Sequence, residues 1–466
     1  MFIKEIKKFP DDFIFSASTS AFQFEGGWTQ DGRGESIYDH INRPEGITDF
    51  EVASDHYNRF IEDVKLLKDL KLDAYRFSVS WTRILPDGET VNLLGIKFYE
   101  RLIDLLIEPD IEPILTIYHF DYPQALIDKY GGWLSRKSIN DYMKLVEVLL
   151  ENFGDKVNYW ITINEQDHVL KFRERLGISK KDQDRETERG IHQANYHMCV
   201  ATAKAIQMIK RHNPSAKVGP AINPMPAYPH SSNSDDVLSS RIYEELSHYY
   251  ILDMHCRGSF SPVYKKYLED RQLTPDIRQE DLKLMSENPP NYLGINYYMN
   301  QIVEHSDKKS IDLRGEGVFV SEEAGLYKLV DNQKDQTEWG WNISPQGLFI
   351  SLLDIYNRYQ LPMLITENGL GAHDVLINGK IHDDYRIEYL REHLKQVRKA
   401  ISLGIPVLGY SPWSAIDLVS GREGMDKRYG FVYVNRDNND LKDLKRIKKD
   451  SYYWYKKIIE SRGETL

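Results

Sequence analysis

LDAYRFSVSWTRILPDGETVNLLGIKFYERLIDLLIEPDIEPILTIYHF, residues 72–120, sets two short apolar runs on either side of a helix-periodic stretch. LDAYRFSVSW (72–81) and EPILTIYHF (112–120) are rich in β-branched and aromatic residues and too short for helices. KFYERLIDLLI between them repeats its apolar residues at i, i+3 and i+4, the spacing of a helix lying on a sheet. Strand, helix and strand in this order predict two parallel strands joined by a crossover.

The unit recurs along the whole chain. Further strand-like runs are FIFSAST (13–19), YWITINE (159–165), KVGPAIN (217–223), YLGINYY (292–298), PMLITENG (362–369) and VLGYSPW (407–413). Helix-periodic stretches lie between them, among them RFIEDVKLLKDL, INDYMKLVEVLLENF, MCVATAKAIQMIKRH, PQGLFISLLDIYNRY and RIEYLREHLKQVRKAIS. Eight such runs predict an α/β fold, a (β/α)8 TIM barrel with enlarged βα loops, as one domain over residues 1–466. An open doubly wound sheet competes, but no early strand is followed by a GxGxxG turn. KVGPAIN, short and proline-bounded, carries the weakest strand signal, while SSNSDD (231–236) and 304–323 read as exposed loops.

Composition narrows the function. A net charge of −11 and short, mixed basic clusters argue against nucleic acid as a partner. Two cysteines form neither a disulfide framework nor a metal cage, and Cys199, in a helical run, reads as a small buried hydrophobe. MFIKEIKKFPDDFIF lacks an apolar h-region and a cleavage pattern, and no run of apolar residues could span a membrane, so a cytoplasmic location is expected. The 30 tyrosines and 8 tryptophans suit either contact with flat, hydroxyl-rich ligands or a tyrosine-rich core.

A barrel of this type keeps its chemistry at the carboxyl ends of its strands. Polar residues there are Gln23, Glu25, Arg76, His119, Asn164, Glu165, Asn296, Tyr298 and Glu367, with Trp413 beside them. YWITINE and PMLITENG each end on a glutamate, at the fourth and seventh strands. Paired carboxylates across a barrel mouth equip a protein for acetal hydrolysis, one giving a proton and the other attacking or activating water.

TINEQ, ITENG, SASTSAFQFEGG, YRFSVSWTRILPDG, YHFDYPQAL, GINYY and GYSPWSAID, in order along the chain, resemble the motif set of glycoside hydrolase family 1. The resemblance implies a retaining β-glycosidase with no cofactor; the fourteen histidines are scattered rather than clustered at one strand end, so no metal is expected. The resemblance makes Glu165 the general acid/base and Glu367 the nucleophile, steadied by Arg76 and Tyr298. Gln23, His119, Asn164, Asn296 and Trp413 match residues around the sugar hydroxyls. The acid is expected to have a raised pKa, chiefly through the charge of the other carboxylate, and the nucleophile to stay ionised. Retention calls for carboxyls about 5–5.5 Å apart, against roughly 6.5–9.5 Å for inversion. Two positions depart from the usual pattern: Gln166 replaces a proline after the acid, and Phe120 replaces a tryptophan after the histidine.

SGREGMDKRYGFVYV (420–434) resembles the 6-phospho-β-glucosidase branch of that family. Members acting on unmodified glucose carry Glu-Trp where this chain has Ser420 and Gly421. A hydroxyl there, with Lys427 and Tyr429, offers three donors to a phosphate. Residues i and i+2 of an extended segment share a face, so Lys427 and Tyr429 can act together while Arg428 points elsewhere. The loss of the tryptophan at Gly421 leans toward gluco- over galacto-configured substrates. The expected partner is a small phosphorylated β-glucoside, without nucleic acid or membrane. A β-glucosidase, a 6-phospho-β-galactosidase and a non-catalytic sugar-binding barrel remain as alternatives. The aglycone end falls to variable loops and aromatics such as Trp339, and oligomeric state stays open, a homodimer included.

Overall fold

In the computed structural model, which describes residues 4–179, 184–308, 322–323, 325–331 and 335–466, eight parallel strands close into a barrel. They are β1 (Ile14–Ser18), β2 (Ala74–Ser78), β3 (Glu112–Tyr118), β4 (Tyr159–Asn164), β5 (Lys217–Ile222), β6 (Leu293–Asn296), β7 (Met363–Asn368) and β8 (Val407–Pro412). Every predicted run supplies one of them. The weakly signalled β5 is a full strand, paired with β4 through Trp160 opposite Val218 and with β6 through Ile222 opposite Ile295. β1 pairs with β8 through Ile14 opposite Gly409, which closes the ring.

Amphipathic helices sheathe the barrel. Lys137–Phe153 buries Ile139, Tyr142, Val146, Leu149 and Phe153, one stripe at helical spacing. Leu149 is fully buried, and truncation to alanine there should cost about 2–5 kcal/mol. Pro345 opens the helix Pro345–Tyr359 at a position where its missing N–H costs nothing. Cys199 is buried within the helix Arg185–His212, as expected.

Alternation along the strands layers the barrel interior. Ala74, Ile114, Ile161, Ala221 and Leu364, with Tyr292, form a small apolar cluster. Two residues on, Arg76 and Thr116 share the faces of Ala74 and Ile114, and Arg76 Nε donates to Thr116 Oγ1 at 3.0 Å. The polar tier therefore stands directly on the apolar one. Register shifts between Ile161 and Asn164 and between Ile365 and Glu367 re-aim the strand ends that carry both glutamates.

Two readings change. SSNSDD is not wholly a loop: Ser234 begins the helix Ser234–Glu244, the Asn233 side chain accepts from Asp235 N–H at 3.2 Å, and Asp236 is buried. Of the stretch 304–323, Glu304 closes the strand Gln301–Glu304 and Glu322–Glu323 forms another, while 309–321 lie outside the described residues. Those strands join Ala227–Pro229 and Tyr327–Val330 in a small sheet beside the barrel.

Candidate active site

Glu165 follows the last residue of β4 with φ 44°, and Phe120, just past β3, has φ 73°. Left-handed backbone at non-glycine residues is costly and gathers at functional sites. Glu367 lies inside β7, two residues before Gly369, where an added Cβ would stand 1.9 Å from the Trp413 carbonyl oxygen. The glycine of ENG is thus required by the close approach of β8.

One hydrogen-bonded chain links the two carboxylates. Arg76 Nη1 donates to Glu367 Oε1, and its Nη2 to Asn164 Oδ1 at 2.7 Å. Asn296 Nδ2 donates both to Asn164 Oδ1 at 3.0 Å and to Glu165 Oε1 at 3.2 Å. Tyr298 Oη donates to Glu367 Oε2 at 2.6 Å, and Asn223 Nδ2 to Glu165 Oε1 at 3.1 Å. Both glutamates are buried.

The electrostatics run opposite to expectation. Burial alone would raise the Glu165 carboxyl, but His168 Nδ1 at 3.3 Å and Arg175 Nη1 at 3.6 Å from Oε2 outweigh it and hold the group well below the usual range. Burial pushes Glu367 up to about 7, with Arg76 opposing and the charge of Glu165 adding to the rise. The expected raised acid and low nucleophile are therefore reversed. The physical reason is that the loop after β4 lays His168 and Arg175 against Glu165.

His119 is buried, and burial, reinforced by the charge of Arg76, holds its pKa well below the ordinary value. Asn164 Nδ2 lies 3.3 Å from His119 Nε2; with Asn164 Oδ1 already accepting from Arg76 and Asn296, Nε2 must accept, which leaves the proton on Nδ1. Nδ1 is buried and has no partner among the described residues. The ring lies nearly parallel to Trp413, 5.9 Å between centroids. Gln23, buried, accepts from Ser20 Oγ at 2.8 Å and donates to Val419 O at 2.9 Å, which ties it to the loop after β8. Glu25 departs from the rim reading: its carboxylate is held by Arg83 at 2.7 Å and by Tyr99 Oη at 2.5 Å.

In the loop after β8, Lys427 and Tyr429 share a face. A Cβ on Gly371 would lie 2.6 Å from Lys427 Cγ and 3.0 Å from Tyr429 Cζ. Arg428 turns away, donating to Asp417 Oδ2 and to Val434 O, each at 3.0 Å. Lys427 Nζ stands 3.6 Å from the Trp341 ring centre, and Trp341 packs edge-on against Tyr298 at 5.5 Å. The lysine thus neighbours the group that steadies Glu367. Ser420 Oγ donates to Glu423 Oε2 at 2.7 Å, and Lys427 Nζ lies 3.9 Å from Glu423 Oε1. Trp339 packs on His373 at 4.6 Å and stands 5.1 Å from Lys427 Nζ, which sets it beside these same groups. Among the described residues no cluster of three or more His, Cys, Asp or Glu could hold a metal, and no helix is long and apolar enough to cross a membrane.

The model of glycosyl hydrolase family 1 matches residues 5–464. The chain belongs to that family. Among curated family 1 relatives, the chain is 41% identical over 476 residues to the aryl-phospho-β-D-glucosidase BglC of Bacillus subtilis (strain 168), covering 99% of both chains. It is 34% identical over 477 residues to the 6-phospho-β-glucosidase of Clostridium longisporum, covering 98% of both. Of solved family 1 structures, the β-glucosidase of Thermotoga maritima superposes with a TM-score of 0.87 at 33% identity, over 98% of this chain and 99% of that one.

Several residues of this family 1 site escaped the sequence reading. His168, Arg175 and Asn223 touch Glu165 from loops whose path no periodicity encodes. Trp341 had a signal in the WGW triplet 339–341, of which only Trp339 was singled out. Gln166, at the position of the usual proline, donates to Asn195 O at 2.8 Å and to Asn195 Oδ1 at 2.6 Å, and so anchors the loop after Glu165 to the helix Arg185–His212.

Proposed function

We propose that this chain is a retaining 6-phospho-β-glucosidase, hydrolysing 6-phospho-β-D-glucosides to glucose 6-phosphate and an aglycone. The observation that carries the reading is the placing of Ser420, Lys427 and Tyr429 in one loop, with Lys427 packed through Trp341 onto the Tyr298–Glu367 pair. The names of the relatives, aryl-phospho-β-D-glucosidase and 6-phospho-β-glucosidase, support the same substrate class.

In this mechanism Glu367 attacks the anomeric carbon while Glu165 protonates the departing oxygen, forming a glycosyl-enzyme ester and free aglycone. Esterification removes the charge of Glu367. Glu165, now a carboxylate, takes a proton from water, whose oxygen attacks the anomeric carbon and releases Glu367. Arg76 and Tyr298 favour the ionised nucleophile through their contacts to its two oxygens. The carboxyl pair shares one proton, and a glycosidic oxygen that accepts from Glu165 favours placing it there, against the pull of His168 and Arg175.

His119, Gln23, Asn164, Asn296 and Trp413 surround the sugar in this reading, and Gly421 in place of tryptophan favours the gluco configuration. The chain acts as one catalytic domain in the cytoplasm, without a cofactor. The test is proton NMR of p-nitrophenyl 6-phospho-β-D-glucoside during hydrolysis. β-Glucose 6-phosphate should appear first and mutarotate; first appearance of the α-anomer would overturn retention, and absence of hydrolysis the activity.

A further inference from the structure

Glu423 sits in a tight turn whose backbone is fixed from two sides. Ser420 N–H donates to Gly424 O at 2.9 Å, and Asn438 Oδ1 accepts from Met425 N–H at 2.7 Å. The Glu423 side chain folds back over this turn. Its Oε2 accepts from Ser420 Oγ at 2.7 Å, and its Oε1 lies 3.9 Å from Lys427 Nζ. Those are two of the three donors assigned above to the phosphate. A carboxylate and a phosphate dianion repel each other and cannot share them.

We infer that the Glu423 carboxylate is a displaceable occupant of the phosphate site, an internal competitor that sets how tightly the enzyme holds phosphorylated sugars. The inference rests on the phosphate-site reading proposed above. Three observations distinguish an occupant from a structural ion pair. The Glu423 side chain is 28% exposed while that of Lys427 is 2% exposed, so the carboxylate has a way out that the ammonium lacks. The 3.9 Å separation is loose for an ion pair, beyond hydrogen-bond range. Alternative cations stand at the turn: Arg43 donates to Ser420 O and Gly421 O, each at 3.1 Å, and feels the Glu423 charge, while the charge of neighbouring Arg422 reaches Lys427.

Glu423 balances a buried ammonium that faces the rings of Trp339, Trp341 and Tyr429. On binding, the phosphate takes over that balance and Glu423 swings toward the arginines at the rim. A neutral glucoside has no anion with which to displace it. Glu423 thereby tunes affinity for one substrate class and leaves the bond-breaking groups alone.

The experiment compares Glu423→Gln and Glu423→Ala with the parent on p-nitrophenyl 6-phospho-β-D-glucoside, with inorganic phosphate as a competitive inhibitor. Removing the competing charge should lower KM about fivefold, equivalent to about 1 kcal/mol, with kcat little changed. The Ki of inorganic phosphate should fall by a similar factor, and KM for the unphosphorylated glucoside should not fall. A KM for the phosphorylated substrate that is unchanged or raised in both variants would overturn the inference. Lys427→Met run in parallel separates the two readings. If it raises that KM while the Glu423 variants fail to lower it, the phosphate site stands and the competitor falls. If Lys427→Met leaves the KM unaltered, the phosphate site itself is wrong.

Discussion

Lys427→Met keeps an apolar stem against Gly371 and removes the ammonium. The side chain is 2% exposed and Nζ lies 3.6 Å from the Trp341 ring centre, so its charge acts in a largely dry setting. A hydrogen bond to a charged group contributes about 1.5–3 kcal/mol, so kcat/KM on an aryl 6-phospho-β-glucoside should fall roughly 10- to 150-fold, carried mainly by KM. Stability should move the other way. Burial, opposed by Glu423, depresses the Lys427 pKa to about 8, so the fold disfavours the ammonium by about 3 kcal/mol. The melting temperature of the variant should therefore hold or rise. The folded protein gives up this proton as pH passes about 8, whereas the unfolded chain keeps it up to the ordinary lysine value of 10.5. Across that interval the unfolded state binds more protons, so this residue makes the parent more stable as pH rises, and the variant lacks the increment. Michaelis kinetics on both substrates and thermal melts across pH read all three effects. Equal loss on the phosphorylated and unphosphorylated substrates, with a lowered melting temperature, would refute the reasoning and assign Lys427 to folding.

Other outcomes follow from the same geometry. Glu165→Ala should slow hydrolysis of poor leaving groups by about 10²- to 10⁴-fold and spare good ones, and equal losses across a leaving-group series would remove its role as acid. The parent's kcat/KM should fall as pH rises through about 7, where the carboxyl pair loses its shared proton. Arg175→Met deletes a charge 3.6 Å from Glu165 and should move that basic limb to higher pH; an unmoved limb would show that Arg175 does not govern the pair. Gly371→Ala would place a methyl group 2.6 Å from Lys427 Cγ, so it should cost about 1–3 kcal/mol in stability and raise KM for the phosphorylated substrate.

Much of this was readable because it is local. Each barrel strand announces itself within seven to ten residues, and a strand that ends in Asn-Glu or Glu-Asn delivers its carboxylate to the rim wherever the rest of the chain goes. The alternation of side chains likewise set Lys427 and Tyr429 on one face and Arg428 on the other. What could not be read depends on the paths of loops. His168 and Arg175 reach Glu165 from turns after β4, and their effect on its protonation reverses an argument built on the two carboxylates alone. Glu423 carries no signal of its own in the sequence; the turn closed by Ser420 and Gly424 brings its carboxylate back onto Ser420. Ser234–Glu244 was missed for a different reason: its polar first turn, SDD, is that of a helix N-terminus and resembles a loop in composition.

Recognition of a phosphate by this barrel is tested most directly with paired substrates. On p-nitrophenyl β-D-glucoside and its 6-phosphate, kcat/KM should favour the phosphorylated compound by at least about a hundredfold, the worth of two charge-assisted hydrogen bonds. Equal rates, or a preference for the unphosphorylated glucoside, would contradict it.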